Sequence, residues 1–175
     1  TLSSGNGTSY SAPIVAGIAA LMLSVYPDLD NIQLRKLIHQ SGDRNNNPDN
    51  AYGYGLLSAK RLLNHPVVIK NEDDILLKKI FLDDNGIKPE TVRIYINNGG
   101  EYTENIPLLG SDKIFSYNIA DIKDSLKFFY YYKDNSDNLK RVPEYEDFCF
   151  VKSELNIINK KVNDNKTYYL LQNYP

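Results

Sequence analysis

The chain of 175 residues is short of several things, and each shortage excludes something. It has a single cysteine, Cys149, so no intrachain disulfide can form. Stability must come from packing, and export is not thereby excluded. Tryptophan is absent, methionine occurs once and histidine twice. The 20 basic and 22 acidic residues nearly cancel, leaving a formal net charge of −2. A strongly basic surface for nucleic acid is not indicated. No run approaches the apolar length of a transmembrane helix, so none is expected. The longest, residues 13–25, is interrupted by Gly17 and Ser24 and reads as a buried helix. Neither an initiator methionine nor a signal peptide opens the chain at Thr1, so it reads as a piece of something longer.

What is present is organised around Gly5-Asn6-Gly7-Thr8-Ser9-Tyr10-Ser11-Ala12-Pro13-Ile14-Val15-Ala16-Gly17. Glycines permit an unusual backbone path ahead of the serine. Pro13 has no N–H and is tolerated near a helix start, so the helix should begin at or just before residues 9–11. Ser9 then stands at a helix N-terminus, where unpaired backbone N–H groups and the helix dipole favour negative charge. A serine nucleophile is useful there, because its own N–H can help hold the oxyanion formed when it attacks a carbonyl. The plainer reading of Ser9 is an N-cap on a buried helix.

The run Gly7-Thr8-Ser9-Tyr10-Ser11-Ala12-Pro13-Ile14-Val15-Ala16-Gly17 resembles the serine motif of subtilisin-like proteases, G-T-S-x-[AS]-x-P-x-V-A-G, at every fixed position. The resemblance implies that Ser9 is the nucleophile of a serine endopeptidase. It also implies that the catalytic Asp and His precede the serine in the chain. Downstream, the helix predicted over residues 9–26 ends at Pro27. Its apolar and small residues cover most of its circumference, so burial on nearly all sides is expected. Asp30-Asn31-Ile32-Gln33 reads as a capping box opening a helix over 31–39. A polar loop over 41–52 leads to Tyr52-Gly53-Tyr54-Gly55-Leu56-Leu57 and, after Ser58 as cap, a last helix over 59–63. This order is similar to the C-terminal end of a subtilase catalytic domain, whose turn reads G-x-G-x-[LIV]-[ND]-A. Gly53, Gly55, Leu57 and Ala59 fit, and Ser58 replaces Asn or Asp.

After His65-Pro66 the pattern changes from helical to alternating. Strands are predicted at 76–82, 91–97, 114–119, 127–133, 139–142 and 148–152, separated by Asp-, Asn- and Gly-rich turns. Short strands at this spacing argue a β-sandwich. The hairpin around Phe128-Phe129-Tyr130-Tyr131-Tyr132 is similar to one in immunoglobulin-like or fibronectin-III-like modules. The closing Leu171-Gln172-Asn173-Tyr174-Pro175 resembles the opening of the C-terminal sorting domain of type IX secretion. It reads otherwise as an ordinary strand end or terminus.

Other candidates have plain readings. Neither His39-Gln40-Ser41 nor His65-Pro66-Val67 resembles the family's His-Gly-Thr motif, so both histidines are assigned structural or surface roles. Asp134, Asp137 and the Asp83-Asp84-Asn85-Gly86 run carry oxygen ligands suited to calcium, but without an EF-hand spacing, and polar turns explain them more simply. Cys149, between Phe148 and Phe150, reads as a buried inert thiol. The Phe128–Tyr132 aromatics are either a carbohydrate or peptide platform or, more simply, a sandwich core with one aromatic face exposed.

The expectation is therefore an α/β segment followed by an all-β sandwich. Residues 1–65 form the C-terminal segment of a subtilase catalytic domain whose helices pack on a parallel sheet. Residues 66–152 form an immunoglobulin- or fibronectin-III-like accessory domain, and 153–175 a linker into the sorting signal. No cofactor is expected. The full-length family domain can carry structural calcium, and no site for it is identified in these residues. Expected partners are a protein or peptide substrate, an upstream catalytic segment and the type IX machinery, at the surface of, or outside, a bacterial cell. The alternative is a pseudoprotease that acts as an adhesion or binding module through its β domain.

Overall fold

The computed structural model describes residues 7–27, 29–70, 74–151 and 167–169. The chain divides into two compact units, Thr1–Leu62 and Leu63–Pro175.

The first unit is helical. Helix α1 spans Thr8–Val25, α2 Asn31–Gln40 and α3 begins at Ala59 and ends at Asn64. Gly7 starts α1 at φ 138°, a backbone conformation that glycine adopts without strain. The capping box predicted for α2 is present. Asp30 Oδ1 accepts from the N–H groups of Ile32 (2.9 Å) and Gln33 (2.8 Å), and Gln33 Oε1 accepts from Asp30 N–H (2.9 Å). Ser58 caps α3 by accepting from Arg61 N–H at 3.2 Å. The loop before α3 folds back on itself through bridges pairing Gly42 with Leu57 and Asp49 with Gly53. Gly42 allows that closure, since a Cβ there would meet the Tyr54 carbonyl oxygen at 2.1 Å.

Burial of α1 differs from expectation. Met22 is its only buried side chain, while Tyr10, Ile14 and Leu21 are 61%, 65% and 52% exposed. Among the described residues of this unit there is no parallel sheet for it to pack on, only those isolated bridges. The α/β layering expected for this segment is thus not formed here. Helix α1 is also, by length and composition alone, long and apolar enough to cross a membrane, contrary to the reading that no run reaches that size. Ser24 does not interrupt it, because its hydroxyl bonds back to Leu21 O at 2.7 Å.

The second unit is a sandwich of two antiparallel sheets. One has the strand order β10-β1-β2-β6-β5, built from Thr167–Tyr169, Val67–Lys70, Asp74–Lys79, Phe115–Ala120 and Leu108–Leu109. The other has the order β4-β3-β7-β8, from Thr103–Asn105, Ile87–Asn97, Ser125–Asp134 and Leu139–Val142. Strand β9, Phe148–Val151, pairs with the first half of β7. Strict alternation places Leu126, Phe128, Tyr130 and Tyr132 of β7 inward, against Val92, Ile94 and Ile96 of β3 and Val68, Ile75, Leu77, Phe115 and Ile119 of the facing sheet. The aromatic run of the sequence is thereby split between core and outer face. Val67–Lys70 was not predicted as a strand because a short continuous apolar run has no period to read.

Candidate functional site

Ser9 is the second residue of α1, after Thr8, with Gly7 at the N-cap. Gly7 offers no side-chain cap, and its carbonyl accepts from Tyr10 N–H at 3.1 Å. The amide of Ser9 lies in the first turn, where no helical carbonyl precedes it to act as acceptor. Its side chain is exposed. Pro13, four residues on, has no N–H to give the Ser9 carbonyl. The serine therefore stands exposed at a helix start with a positive dipole end. Ser9 is not the N-cap of the plainer reading, since that position belongs to Gly7.

No general base of this chain is hydrogen-bonded to Ser9 among the described residues. His39 lies in α2, where its ring stacks on Tyr54 with centroids 4.0 Å apart. Burial, and secondarily Arg35, lower its pKa. His65 opens the second unit and is buried there. Its Nδ1 faces the Pro66 carbonyl at 3.1 Å. A carbonyl only accepts, so the proton sits on Nδ1, and Nε2 has no partner among the described residues. Burial pushes its pKa down to about 4, with a smaller push from Lys79. The Lys79 side chain, fully buried, donates to the carbonyls of Asn64 and Ile80 and lies over the Phe81 ring at 4.6 Å. Desolvation lowers its pKa to about 7. Sequence reasoning missed this lysine as an inward residue. The signal was its place in step with Ile75 and Leu77 along β2.

The acidic turns are occupied by their own backbone. Asp134 Oδ1 accepts from the N–H groups of Ser136 and Asn138, both at 2.9 Å, and Oδ2 from Asn138 Nδ2 at 3.0 Å. These bonds, the Asn138 side chain first, hold its pKa down at about 2. Asp83 accepts from the Tyr132 hydroxyl at 2.7 Å, and Lys140 stands 3.6 Å from it. Among the described residues no three His, Cys, Asp or Glu side chains are grouped to hold a metal. Cys149 is half-buried rather than buried. Phe148 and Phe150 take the inward positions of β9, and alternation turns the thiol outward. Phe129 and Tyr131 likewise face outward from β7. Residues 171–175, with the sorting-like sequence, lie outside the described residues.

Residues 1–55 match the peptidase S8 family, described as the subtilase family. Over 62 residues the chain is 42% identical to "Neisserial autotransporter lipoprotein NalP" of Neisseria meningitidis, covering 34% of this chain and 6% of that protein. It is 37% identical over 62 residues to "Probable subtilase-type serine protease" of Deinococcus radiodurans, covering 33% of this chain and 8% of that protein. It is 45% identical over 56 residues to "Thermostable alkaline protease" of Halalkalibacterium halodurans, covering 32% and 15%. The chain thus spans a small part of the length of the curated relatives it matches. Residues 1–55 are thus similar to one part of the subtilase-type serine proteases. Among solved structures, "Crystal structure of Br derivative BhCBM56" aligns with 51% of this chain and 94% of that chain, at 8% identity and a TM-score of 0.39, a likeness too low to carry an argument.

Proposed function

We propose that residues 1–65 are the C-terminal segment of a secreted subtilisin-like endopeptidase and that Ser9 is its nucleophile. One observation carries the reading. The matched serine motif sets Ser9, exposed, at the second position of a helix whose own apolar surface is left uncovered. Those apolar residues fit a helix built to pack on a larger catalytic domain. In the whole enzyme Ser9 Oγ attacks the scissile carbonyl of a protein or peptide, and a histidine elsewhere in that enzyme takes its proton. An aspartate orients the histidine. The Ser9 amide and an asparagine side chain hold the oxyanion. The scissile C–N bond breaks as the histidine gives its proton to the leaving amine, and water then hydrolyses the acyl-enzyme to free the serine. Residues 66–152 are an accessory module of immunoglobulin or fibronectin-III type, and 153–175 lead into a type IX sorting signal. Secretion agrees with relatives named as an autotransporter lipoprotein and an extracellular serine protease. The test is labelling of the whole enzyme with a fluorophosphonate probe. Ser9→Ala abolishes labelling and lowers kcat/KM for a peptide substrate by at least about 10³-fold. Normal labelling of the variant overturns Ser9 as nucleophile.

A further inference from the structure

The outer face of the sheet β4-β3-β7-β8 carries aromatic rings that the core does not use. Tyr95 and Phe129 are directly opposed on β3 and β7, and their rings stack at 5.0 Å and 5°. The Arg141 guanidinium lies over the Phe129 ring from the β8 side at 4.1 Å. Tyr131, one pleat along, stands nearly perpendicular to both rings. Tyr102 reaches in from the β3–β4 loop, 5.3 Å from Phe129, and its hydroxyl donates to Asp147.

Two charged pairs frame these rings. Glu104 accepts from the Tyr95 hydroxyl and pairs with Arg93 at 3.5 Å, and Asp147 pairs with Arg141. Burial and the Asp147 carboxylate push the Tyr102 phenol up to about 12, so it stays a donor. The framework is thus fixed before any ligand arrives. Tyr95, Phe129, Tyr131 and Arg141 lie on strands, and the polar groups orient one another.

We propose that this face, centred on Phe129 and Tyr131, binds a neutral oligosaccharide. The cation in contact with the rings, Arg141, and its neighbour Arg93 are each paired with a carboxylate, and the exposed Lys127 and Lys133 stand at the two ends of the β7 row, so a charged ligand gains little at the rings themselves. An apolar partner would strip water from those carboxylates, guanidiniums and phenols without replacing its hydrogen bonds, which costs more than the rings return. Tyr95 and Arg141 cover the two faces of Phe129, so a ligand dense in hydroxyls meets that ring at its edge with its C–H groups, replaces those bonds and adds no charge. From Glu104 on β4 to Arg141 on β8 is three strand spacings, about 14 Å, a span for several linked sugars rather than one. This inference is independent of the role assigned to Ser9.

The test is native gel electrophoresis of the 175-residue chain through gels containing a neutral β-glucan, an α-glucan, a galactomannan, the acidic polysaccharide alginate, or serum albumin. Retardation by at least one neutral polysaccharide is expected. Phe129→Ala and, separately, Tyr131→Ala should weaken it at least tenfold while the circular dichroism spectrum is kept. Tyr145→Ala, at a residue 86% exposed with no ring contact to the cluster, should leave it unchanged. Tyr95→Ala serves if either first variant misfolds. The proposal is overturned if no neutral polysaccharide retards the chain, or if folded ring variants bind as before. It is also overturned if alginate alone retards it in a salt-sensitive way through the exposed Lys127 and Lys133, or if albumin does so equally.

Discussion

At the residue scale, two buried ionisable side chains near the start of the sandwich have their pKa lowered by folding. Among the described residues, His65 is buried without a partner for Nε2 and Lys79 is buried without a carboxylate. Both are bases whose pKa folding lowers, so both favour the folded state at higher pH. His65 contributes its full stability above its ordinary value of 6.5 and loses it as pH falls toward about 4. Over that window the loss is on the order of 3 kcal/mol. Lys79 loses its contribution earlier, as pH falls from 10.5 toward 7, and is already charged when His65 begins to titrate. Urea denaturation of the chain at pH 7 and pH 4.5 should therefore show a fall in stability that is smaller in His65→Phe. An equal fall in both proteins would place the acid sensitivity elsewhere. The sequence showed only that neither histidine sits in the family's histidine motif. The buried His65 ring meets that of Phe148, far along the chain, 5.8 Å away.

At the element scale, what is local was readable and what is shared was not. The limits of α1 and α2 follow from Gly7, Pro27 and the Asp30–Gln33 box, all of which act within a turn of the helix they bound. Asp30→Ala should cost about 1 kcal/mol and speed amide exchange at Ile32 and Gln33, whose N–H groups lose their acceptor. Unchanged exchange would mean that packing around Leu37 alone holds the helix start. Burial of α1 was misread, because an apolar surface records what a helix is suited to cover, not what covers it in a given chain. In the sandwich, the alternation of β7 was correctly resolved into one core face and one aromatic outer face. The short strands β4 and β5 were missed, having too few residues to show a period. Phe128 is fully buried at the centre of the core, so Phe128→Ala should cost roughly 3–5 kcal/mol. Phe129→Ala, on the opposite face, should cost far less, and thermal melts of the pair separate the two faces.

At the scale of the whole molecule, the chain holds a nucleophile candidate in one unit and a complete hydrophobic core in the other. Among the described residues no base is hydrogen-bonded to Ser9, and His39 is stacked on Tyr54. The purified 175-residue chain should therefore hydrolyse no peptide substrate above background. Turnover abolished by Ser9→Ala would show that the base is present after all. The serine motif and the succession of helix, capping box and glycine turn were determined by sequence alone. Each is set by backbone chemistry within a few residues, and the match to subtilases over residues 1–55 rests on the same stretch. Only the tertiary structure decided that α1 stands exposed, that Lys79 and His65 share the sandwich interior, and that Tyr95, Phe129 and Arg141 stack across three strands. Those outcomes depend on which distant segments meet, and no local pattern encodes the register that brings them together.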